Sequence, residues 1–209
     1  MPRITRRLML SVNTIIPKPQ RRSGRVLIDI LKIMLFTLIL LIFSTTLIAR
    51  FEIEQTSMEP NFYPGQRIIV SQAERNYGSW LNGSAYAAHP GAAAAAGLQR
   101  GQIVVFYESD DQSEAPLIKR LIGVPGDRIA IHDGAVFVNR QRLSEPYINV
   151  FTDCSNYCAL TLGADEYFFL GDNRPVSHDS RQFGPVPGNH VIGRVVARFW
   201  PLDQLTIFL

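Results

Sequence analysis

The feature that most constrains this chain is a long apolar segment near its start. Residues 33–49 carry no charged side chain, and the flank 26–31 holds only Asp29. Together they reach the roughly 17 to 25 residues that span a bilayer. Lys32, between the two parts, can extend its ammonium toward the interface. The segment predicts a transmembrane helix over residues 26–49.

Two other interpretations of this start remain open. A basic beginning, an apolar run and the small Ala49 also suit a cleaved signal peptide, although the run exceeds the usual apolar region of about 7 to 15 residues. An arginine-rich, acid-poor start also suits an organelle transit peptide. With a retained helix, the positive-inside rule places the tail 1–25 in the cytoplasm and residues 50–209 across the membrane.

The charge is unevenly divided along the chain. Residues 1–49 hold eight basic and one acidic side chain, whereas residues 50–209 hold 13 basic and 17 acidic ones. The excess of basic charge therefore lies beside the apolar segment, where lipid headgroups would attract it. We expect the lipid bilayer as a partner, and no nucleic acid.

Short runs rich in β-branched and aromatic residues predict strands in residues 50–209, which we call the far-side domain. These are residues 67–70, 103–107, 117–124, 128–131, 135–138, 167–170 and 191–199. Turn signals separate them, and Asp133-Gly134 predicts a tight hairpin. No segment after residue 50 shows a long helical period. The sequence predicts a mostly β domain built on antiparallel sheet.

Two stretches interrupt this pattern. Residues 73–100 are rich in Ala, Gly, Ser and Asn and predict an insertion or mobile loop, and residues 143–162 predict a small second lobe. The lobe carries Cys154 and Cys158, on the side of the membrane where disulfides persist, and a bridge between them would be a local staple. Two sulfurs without a further Cys or His pair do not make a zinc site.

Lys119 is the candidate general base. A serine nucleophile needs a neighbouring His or neutral Lys to accept its proton, and the far-side domain has four histidines but only this lysine. Its run, residues 117–122 (LIKRLI), is apolar on both faces, so desolvation disfavours the ammonium form. The adjacent Arg120 stays protonated. The simpler alternative is a strand lysine that reaches solvent.

Ser57 is the candidate nucleophile. It follows the predicted helix by eight residues, within the segment 55–60 (QTSMEP). Pro60 disfavours helix at the residue before it, so we expect Ser57 in an extended or turning segment. Its position would hold it near the bilayer surface. Taken alone, one serine among many is more often a turn residue than a nucleophile.

A third polar segment, residues 171–181 (GDNRPVSHDSR), follows an apolar strand. Its density of donors and acceptors predicts a network that fixes geometry, although a solvated turn has the same composition.

In order along the chain, these segments resemble the boxes of the type I signal peptidase, or leader peptidase, family. Residues 57–60 (SMEP) are similar to its Ser-Met-x-Pro nucleophile box, and residues 100–106 (RGQIVVF) to the next box. Residues 119–127 (KRLIGVPGD) resemble the box that supplies the lysine base, and residues 171–181 the last box. The resemblance covers most of residues 30–200, apart from the Ala-rich loop and the cysteine lobe.

The resemblance implies a signal peptidase fold and a Ser57/Lys119 dyad. It implies an enzyme that removes signal peptides from translocated precursors after small residues at −1 and −3, without a metal or an organic cofactor. By motif position, Ser177 should hydrogen-bond and orient Lys119, while Asp179 and Arg181 should pair to brace the site.

The resemblance leaves the oxyanion hole incomplete. Family members use the backbone N–H of the nucleophile and often a small residue two positions earlier, but here that position is Gln55. The second oxyanion donor therefore stays open.

Three alternatives remain beside this interpretation. The same dyad could serve a peptidase dedicated to one pilin or conjugation protein. The domain could instead be a non-catalytic, membrane-anchored β binding module. A Ser-His-Asp hydrolase is disfavoured, because no Gly-x-Ser-x-Gly elbow occurs and the adjacent His178 and Asp179 would point in opposite directions if extended.

Overall fold

A computed structural model describes residues 22–72, 97–111 and 113–208, with the backbone alone for residues 22–25 and 42–47. Most of the predicted tail and most of the Ala-rich insertion lie outside the described residues. The chain divides into two compact units, Met1–Leu41 and Ile42–Leu209.

A helix, α1, runs over Arg22–Leu47. The side chains described in it, residues 26–41, are exposed and mostly apolar. Among the described residues, no helix combines the length and the apolar character needed to cross a membrane. The transmembrane anchor over residues 26–49 therefore stays a prediction. The helix also ends earlier than that segment, because Ile48 and Ala49 belong to the first strand.

The larger sheet carries the catalytic candidates. Its strands are β1 Ile48–Glu52, β2 Arg67–Ser71, β3 Ile103–Phe106, β4 Leu117–Gly123, β9 Glu166–Leu170, β10 Val186–Pro187, β11 Val191–Trp200 and β12 Thr206–Ile207. They lie in the order β1-β2-β11-β3-β4-β9-β10, with β12 on β11, and every pairing is antiparallel. The mostly β, antiparallel prediction is confirmed.

A smaller sheet has four antiparallel strands, β5 Arg128–His132, β6 Ala135–Val138, β7 Gln141–Arg142 and β8 Ala159–Thr161. Its order is β7-β6-β5-β8. The hairpin predicted at Asp133-Gly134 joins β5 to β6, with φ angles of 51° and 71°. Both are left-handed, as a two-residue hairpin turn of type I′ requires. This sheet begins at Arg128, so it is larger than the lobe predicted for residues 143–162.

The smaller sheet is fixed to the larger one by a shared core. Phe168 and Leu170 of β9 pack with a buried group from the second sheet and its flanks, Ile129, Ile131, Val136, Val138 and Leu162. Cys154 packs against the same cluster and forms a disulfide with Cys158. The bridge joins two cysteines that are 4 positions apart in the sequence. The two cysteines therefore tie down a local segment of the lobe, as their spacing predicts.

A second core cluster anchors the chain around the candidate nucleophile. Met58 and Phe62, on the C-terminal side of Ser57, and Ile53, on its N-terminal side, are buried. They pack with apolar side chains of the large sheet, Ile68, Val70, Ile103, Val105, Ile118, Ile192 and Val195. Because these residues flank Ser57 on both sides, the sheet core holds its position.

Candidate active site

Ser57 lies in a compact turn between β1 and β2. The N–H of Glu59 donates to the carbonyl of Thr56 at 3.2 Å, and the N–H of Phe62 donates to the carbonyl of Met58 at 2.9 Å. These bonds place Ser57 at the start of a tight turn whose next residue is fully buried. Only 6% of Ser57 is exposed.

Lys119 lies in the middle of β4, which has neighbours on both sides. Val104 of β3 is its register partner, and β9 pairs with the following residues of β4. The side chain is 1% exposed, and its Nζ lies 2.7 Å from Ser57 Oγ, to which it donates a hydrogen bond. The structure therefore brings together the two residues that the sequence singled out, 62 positions apart.

Burial controls the protonation of this amine. Desolvation lowers the pKa of Lys119 from 10.5 to about 8, and the negative charges of Asp179 and Glu108 partly oppose that shift. An appreciable fraction of the amine is therefore neutral near pH 8, and the neutral amine can accept the proton of Ser57 Oγ.

The segment 171–181 wraps around this pair. Asp179 is fully buried, and its carboxylate accepts the N–H of Gly171 at 3.0 Å and the Nε–H of Arg181 at 2.8 Å. The carboxylate also caps a short helix, α2, Ser180–Phe183, by accepting the N–H of Arg181. Asp179 and Arg181 thus form the ion pair that the family resemblance implies, and they tie α2 to the end of β9.

Ser177 differs from the expectation. Its Oγ is buried and has no hydrogen-bond partner among the described residues. The hydrogen bond to Lys119 that the resemblance implies is therefore not formed in this structure.

Gly171 allows Ser177 and the backbone of Ser57 to lie close together. A Cβ atom at Gly171 would lie 2.1 Å from Ser177 Oγ and 2.5 Å from the carbonyl oxygen of Ser57. Only glycine leaves room for the end of β9 to pass between the nucleophile segment and Ser177. Ser177 thus lies against the site although its hydroxyl is unpaired.

Asn173 contributes a contact that sequence reasoning missed. Its N–H donates to the carbonyl of Ser57 at 3.0 Å, and its Nδ2 donates to the carbonyl of Thr56 at 3.2 Å. The two bonds hold the backbone of Thr56 and Ser57 from the side of β9. The polar segment had been recognised in the sequence, but nothing in its composition says that Asn173 would reach main-chain carbonyls more than one hundred positions away.

Asp172 anchors the same region to β4. It accepts two hydrogen bonds from Arg120, at 2.8 and 2.6 Å, and one from Asn61 at 2.9 Å. The Arg120 guanidinium lies over the Tyr147 ring, 3.8 Å from its centre. Arg120, the residue after Lys119, therefore forms an ion pair with Asp172. The sequence did not predict this pairing.

A buried arginine connects the site to the smaller lobe. Arg174 donates to the carbonyl of Gly171 at 2.9 Å, to the hydroxyl of Thr152 and to the carboxylate of Glu145. Arg181 reaches the same lobe through the carbonyl of Asp153 at 3.1 Å. The lobe therefore contributes acceptors that immobilise residues 171–181.

Gln55 is exposed and lines a cavity of about 250 Å³. The cavity is bordered by the extended segment 50–55, and its apolar lining includes Phe51, Ile68 and Ile118. Its lining segment ends two residues before Ser57 in the chain, and the cavity has room for small side chains.

The histidines do not form a Ser-His-Asp arrangement among the described residues. His178 lies 3.2 Å from Glu108, His190 lies 2.9 Å from Asp110, and His132 contacts its neighbour Asp133. His89 lies outside the described residues. Within the described part of the chain, no group of three or more metal-ligating side chains occurs.

A protein-family model described as signal peptidase, peptidase S26, matches residues 27–200. The chain belongs to this signal peptidase family. The identification made from the four sequence boxes is therefore confirmed.

Individual proteins are also similar to this chain. The chain is 28% identical over 192 residues to signal peptidase IB of Staphylococcus aureus strain COL, covering 84% of this chain and 90% of the relative. It is 39% identical over 111 residues to a probable signal peptidase I-2 of Synechocystis, covering about half of each chain, 51% and 50%. A crystal structure of a signal peptidase I from Enterococcus faecalis matches with a TM-score of 0.41 and 33% identity, over 46% of this chain and 95% of that one.

The lowered pKa of Lys119 predicts a pH-dependent stability for this signal peptidase family member. Between about pH 8 and 10.5, the unfolded chain binds a proton on Lys119 that the folded chain lacks, so the free energy of unfolding should rise with pH. Below pH 8 both states are protonated, and the folded state bears the cost of a buried ammonium. The rise should be absent in Lys119→Met.

Urea unfolding of the wild type and of Lys119→Met in detergent, at several pH values from about 7.5 to 9.5, measures how the free energy of unfolding of each protein depends on pH. Equal dependence on pH in the two proteins would show that the amine titrates like an exposed lysine.

Proposed function

We propose that this protein is a serine endopeptidase that removes N-terminal signal peptides from translocated precursors after small-x-small sites. Ser57 is the nucleophile and Lys119 the general base. The observation that carries the proposal is the 2.7 Å contact between Lys119 Nζ and Ser57 Oγ in a buried position. Family membership supplies the reaction class.

The dyad accounts for the proton transfers. Neutral Lys119 takes the proton of Ser57 as Oγ attacks the carbonyl carbon of the scissile bond, and a tetrahedral intermediate forms. The resulting ammonium gives this proton to the departing amine of the mature protein, which leaves an acyl-enzyme on Ser57. Lys119 then takes a proton from water, the hydroxide attacks the ester, and the signal peptide is released with Oγ reprotonated.

The oxyanion of the intermediate needs donors, and the backbone N–H of Ser57 is the first of them. The turn bonds and the two contacts from Asn173 hold this peptide unit in place. Gln55 is exposed and lines the cavity of about 250 Å³, and we assign its side-chain amide as the second donor. That cavity would receive the small residues before the scissile bond.

The site belongs at a membrane if the predicted anchor is retained. The apolar part of α1, residues 26–47, then crosses the inner membrane once, the basic tail 1–25 stays in the cytoplasm, and the sheet that begins at Ile48 lies outside it. Ser57 follows the last residue of α1 by ten positions, which suits a substrate that is itself tethered to the bilayer.

The central test is cleavage of a precursor with an Ala-x-Ala site by the full chain in detergent. The wild type should release the signal peptide, and Ser57→Ala should lower the rate by at least about 10³-fold. Lys119→Arg should be as inactive as Lys119→Ala, because a guanidinium keeps the charge but cannot accept the proton. The wild-type rate should rise through a pKa near 8.

Substantial activity in Lys119→Arg would exclude the lysine base, and loss of wild-type activity in EDTA would exclude a metal-free mechanism. If the general precursor is untouched while one pilin-type substrate is cleaved, the dedicated peptidase is correct. Normal cellular function of Ser57→Ala would instead indicate the binding module.

Ser177 allows activity and stability to be separated. We propose that its hydroxyl donates to or accepts from Lys119 during the reaction, although no such bond is present in the resting structure. Ser177→Ala should then lower kcat at least about tenfold, and its free energy of unfolding should stay equal or rise, because an unpaired buried hydroxyl is removed. Cleavage assays and urea unfolding measure the two effects, with Ser177→Thr as the hydroxyl-retaining control. A fall in stability without any loss of kcat would contradict the role.

The topology predicts which part of the chain an external protease reaches. Protease added to spheroplasts should digest the chain after about residue 50 and spare a tag at the N-terminus. Immunoblots against tags at each end record the result. A digested N-terminal tag with a protected C-terminal tag would reverse the orientation.

A further inference from the structure

The short helix α2 ends with carbonyl groups that it cannot satisfy by itself. It has four residues, and the last carbonyls of a helix have no partner within the helix. Here the partners come from the loop between the bridged cysteines, residues 154–158, which we call the cysteine loop. The carbonyl of Arg181 accepts the N–H of Asn156 at 2.9 Å and the N–H of Tyr157 at 3.1 Å. The cysteine loop therefore caps the end of α2.

Further contacts join the cysteine loop to the same helix. The hydroxyl of Ser155 donates to the carbonyl of Arg181 at 2.7 Å, and Nδ2 of Asn156 donates to the next carbonyl of α2 at 3.2 Å. The Tyr157 ring lies against Gly184, where a Cβ atom would come within 3.0 Å of it. Each of the three residues between the cysteines thus contacts α2 or the glycine that follows it.

The disulfide keeps these donors together. Ser155, Asn156 and Tyr157 are exposed, so little apolar burial holds them in place. Cys154 packs against the core of the smaller sheet, and the bridge ties Cys158 to it. Without the bridge, few contacts would offset the conformational entropy lost when the loop is ordered. Opening the bridge should therefore loosen the cap of α2.

Arg181 connects the cysteine loop to the active site. Its guanidinium is buried and donates to both carboxylate oxygens of Asp179, at 2.8 and 2.9 Å. It also donates to the carbonyls of Asp153 and Arg174, at 3.1 and 2.7 Å. The loop thus holds the main chain of the residue whose side chain pairs with Asp179. A displacement of α2 would move the guanidinium away from this carboxylate.

The charge of Asp179 acts on Lys119. Desolvation lowers the pKa of Lys119, and the charges of Asp179 and Glu108 raise it. Glu108 lies 3.2 Å from His178, and the arginine that follows Lys119 pairs with a different carboxylate. Asp179 is the carboxylate whose arginine the cysteine loop holds. If Arg181 moved away, the charge of Asp179 would be less compensated, and the pKa of Lys119 would rise.

We propose that the cysteine loop is a positioning element of the active site: its residues hold Arg181 on Asp179, and the bridge between Cys154 and Cys158 holds the loop. The inference rests on the proposed peptidase function, since its main readout is the rate of cleavage.

Reduction of the bridge tests this inference, because the chain has no other cysteine. The full chain in detergent is reduced beforehand with dithiothreitol, and its cleavage of a cysteine-free Ala-x-Ala precursor is followed from about pH 7 to 10. The pH midpoint of the rate should rise by about 0.5 to 1 unit, because a less compensated Asp179 favours the ammonium form. The rate should fall roughly three- to tenfold near pH 7 and approach that of the oxidised protein near pH 10.

Three variants support the reduction experiment. Cys154→Ser combined with Cys158→Ser should behave like the reduced wild type and should not respond to dithiothreitol. Ser155→Ala keeps the bridge and removes one donor, so it should shift the midpoint in the same direction by less. Leu160→Ala is the matched control, because Leu160 packs against the core of the smaller sheet outside the cysteine loop. It should lower stability without moving the midpoint. Circular dichroism verifies that each variant is folded.

A second readout does not need cleavage. The free energy of unfolding should rise less between about pH 8 and 9.5 in the reduced protein, because the pKa of Lys119 in the folded state lies closer to that of the unfolded chain. If the oxidised wild type does not cleave the precursor, the proposed function fails, and this readout alone decides the inference. Reduction that leaves the midpoint and this rise unchanged, or that lowers the rate equally at every pH, overturns it.

Discussion

The site depends on keeping one amine buried, close to a serine and without a carboxylate of its own. An ammonium loses several kcal/mol of hydration when it enters a protein interior, and a direct acidic partner would restore its charge. Lys119 has the burial but no salt bridge to any carboxylate among the described residues. Desolvation therefore sets the pKa of Lys119, and the rest of the site must not raise that pKa again.

The two buried acidic residues of this region, Asp179 and Asp172, are each paired with an arginine. Asp179, whose charge raises the pKa of Lys119, accepts hydrogen bonds from Arg181 on both carboxylate oxygens. Asp172 is held by Arg120, the immediate neighbour of Lys119 on β4. Each carboxylate thus has a guanidinium that cannot lose its proton, which leaves the lysine as the group that can. The ion pairs serve geometry and also limit how strongly the acids stabilise an ammonium on Lys119.

Much of the fold could be predicted because most strands are short apolar runs with clear turns. The Asp133-Gly134 hairpin needed two residues with positive φ, and the sequence supplied residues that tolerate it. β1 was missed because Ile48 and Ala49 continue the apolar pattern of the helix, and only pairing with β2 makes them strand. The second sheet was underestimated because its extent depends on β8 returning to β5 across the cysteine loop.

The proximity of Ser57 and Lys119 could also be predicted, because both residues lie in boxes that resemble those of one family, whereas each residue taken alone had a simpler interpretation. The contacts of Asn173 and Arg174 could not, because their partners are main-chain carbonyls and side chains distant in sequence. Such contacts are decided by how β9 passes the nucleophile turn, where Gly171 permits the approach.

Ser177 shows why stability alone does not explain this arrangement. A buried hydroxyl without a partner costs about 1 to 3 kcal/mol, and alanine would fill nearly the same space without that cost. The serine packs against Gly171, beside the Ser57 carbonyl, where a hydroxyl can exchange hydrogen bonds with an amine that changes protonation during the reaction. In the proposed mechanism, a donor and acceptor that is unpaired in the resting state would stabilise both forms of Lys119 in turn. A permanent partner would fix its orientation and favour only one of them.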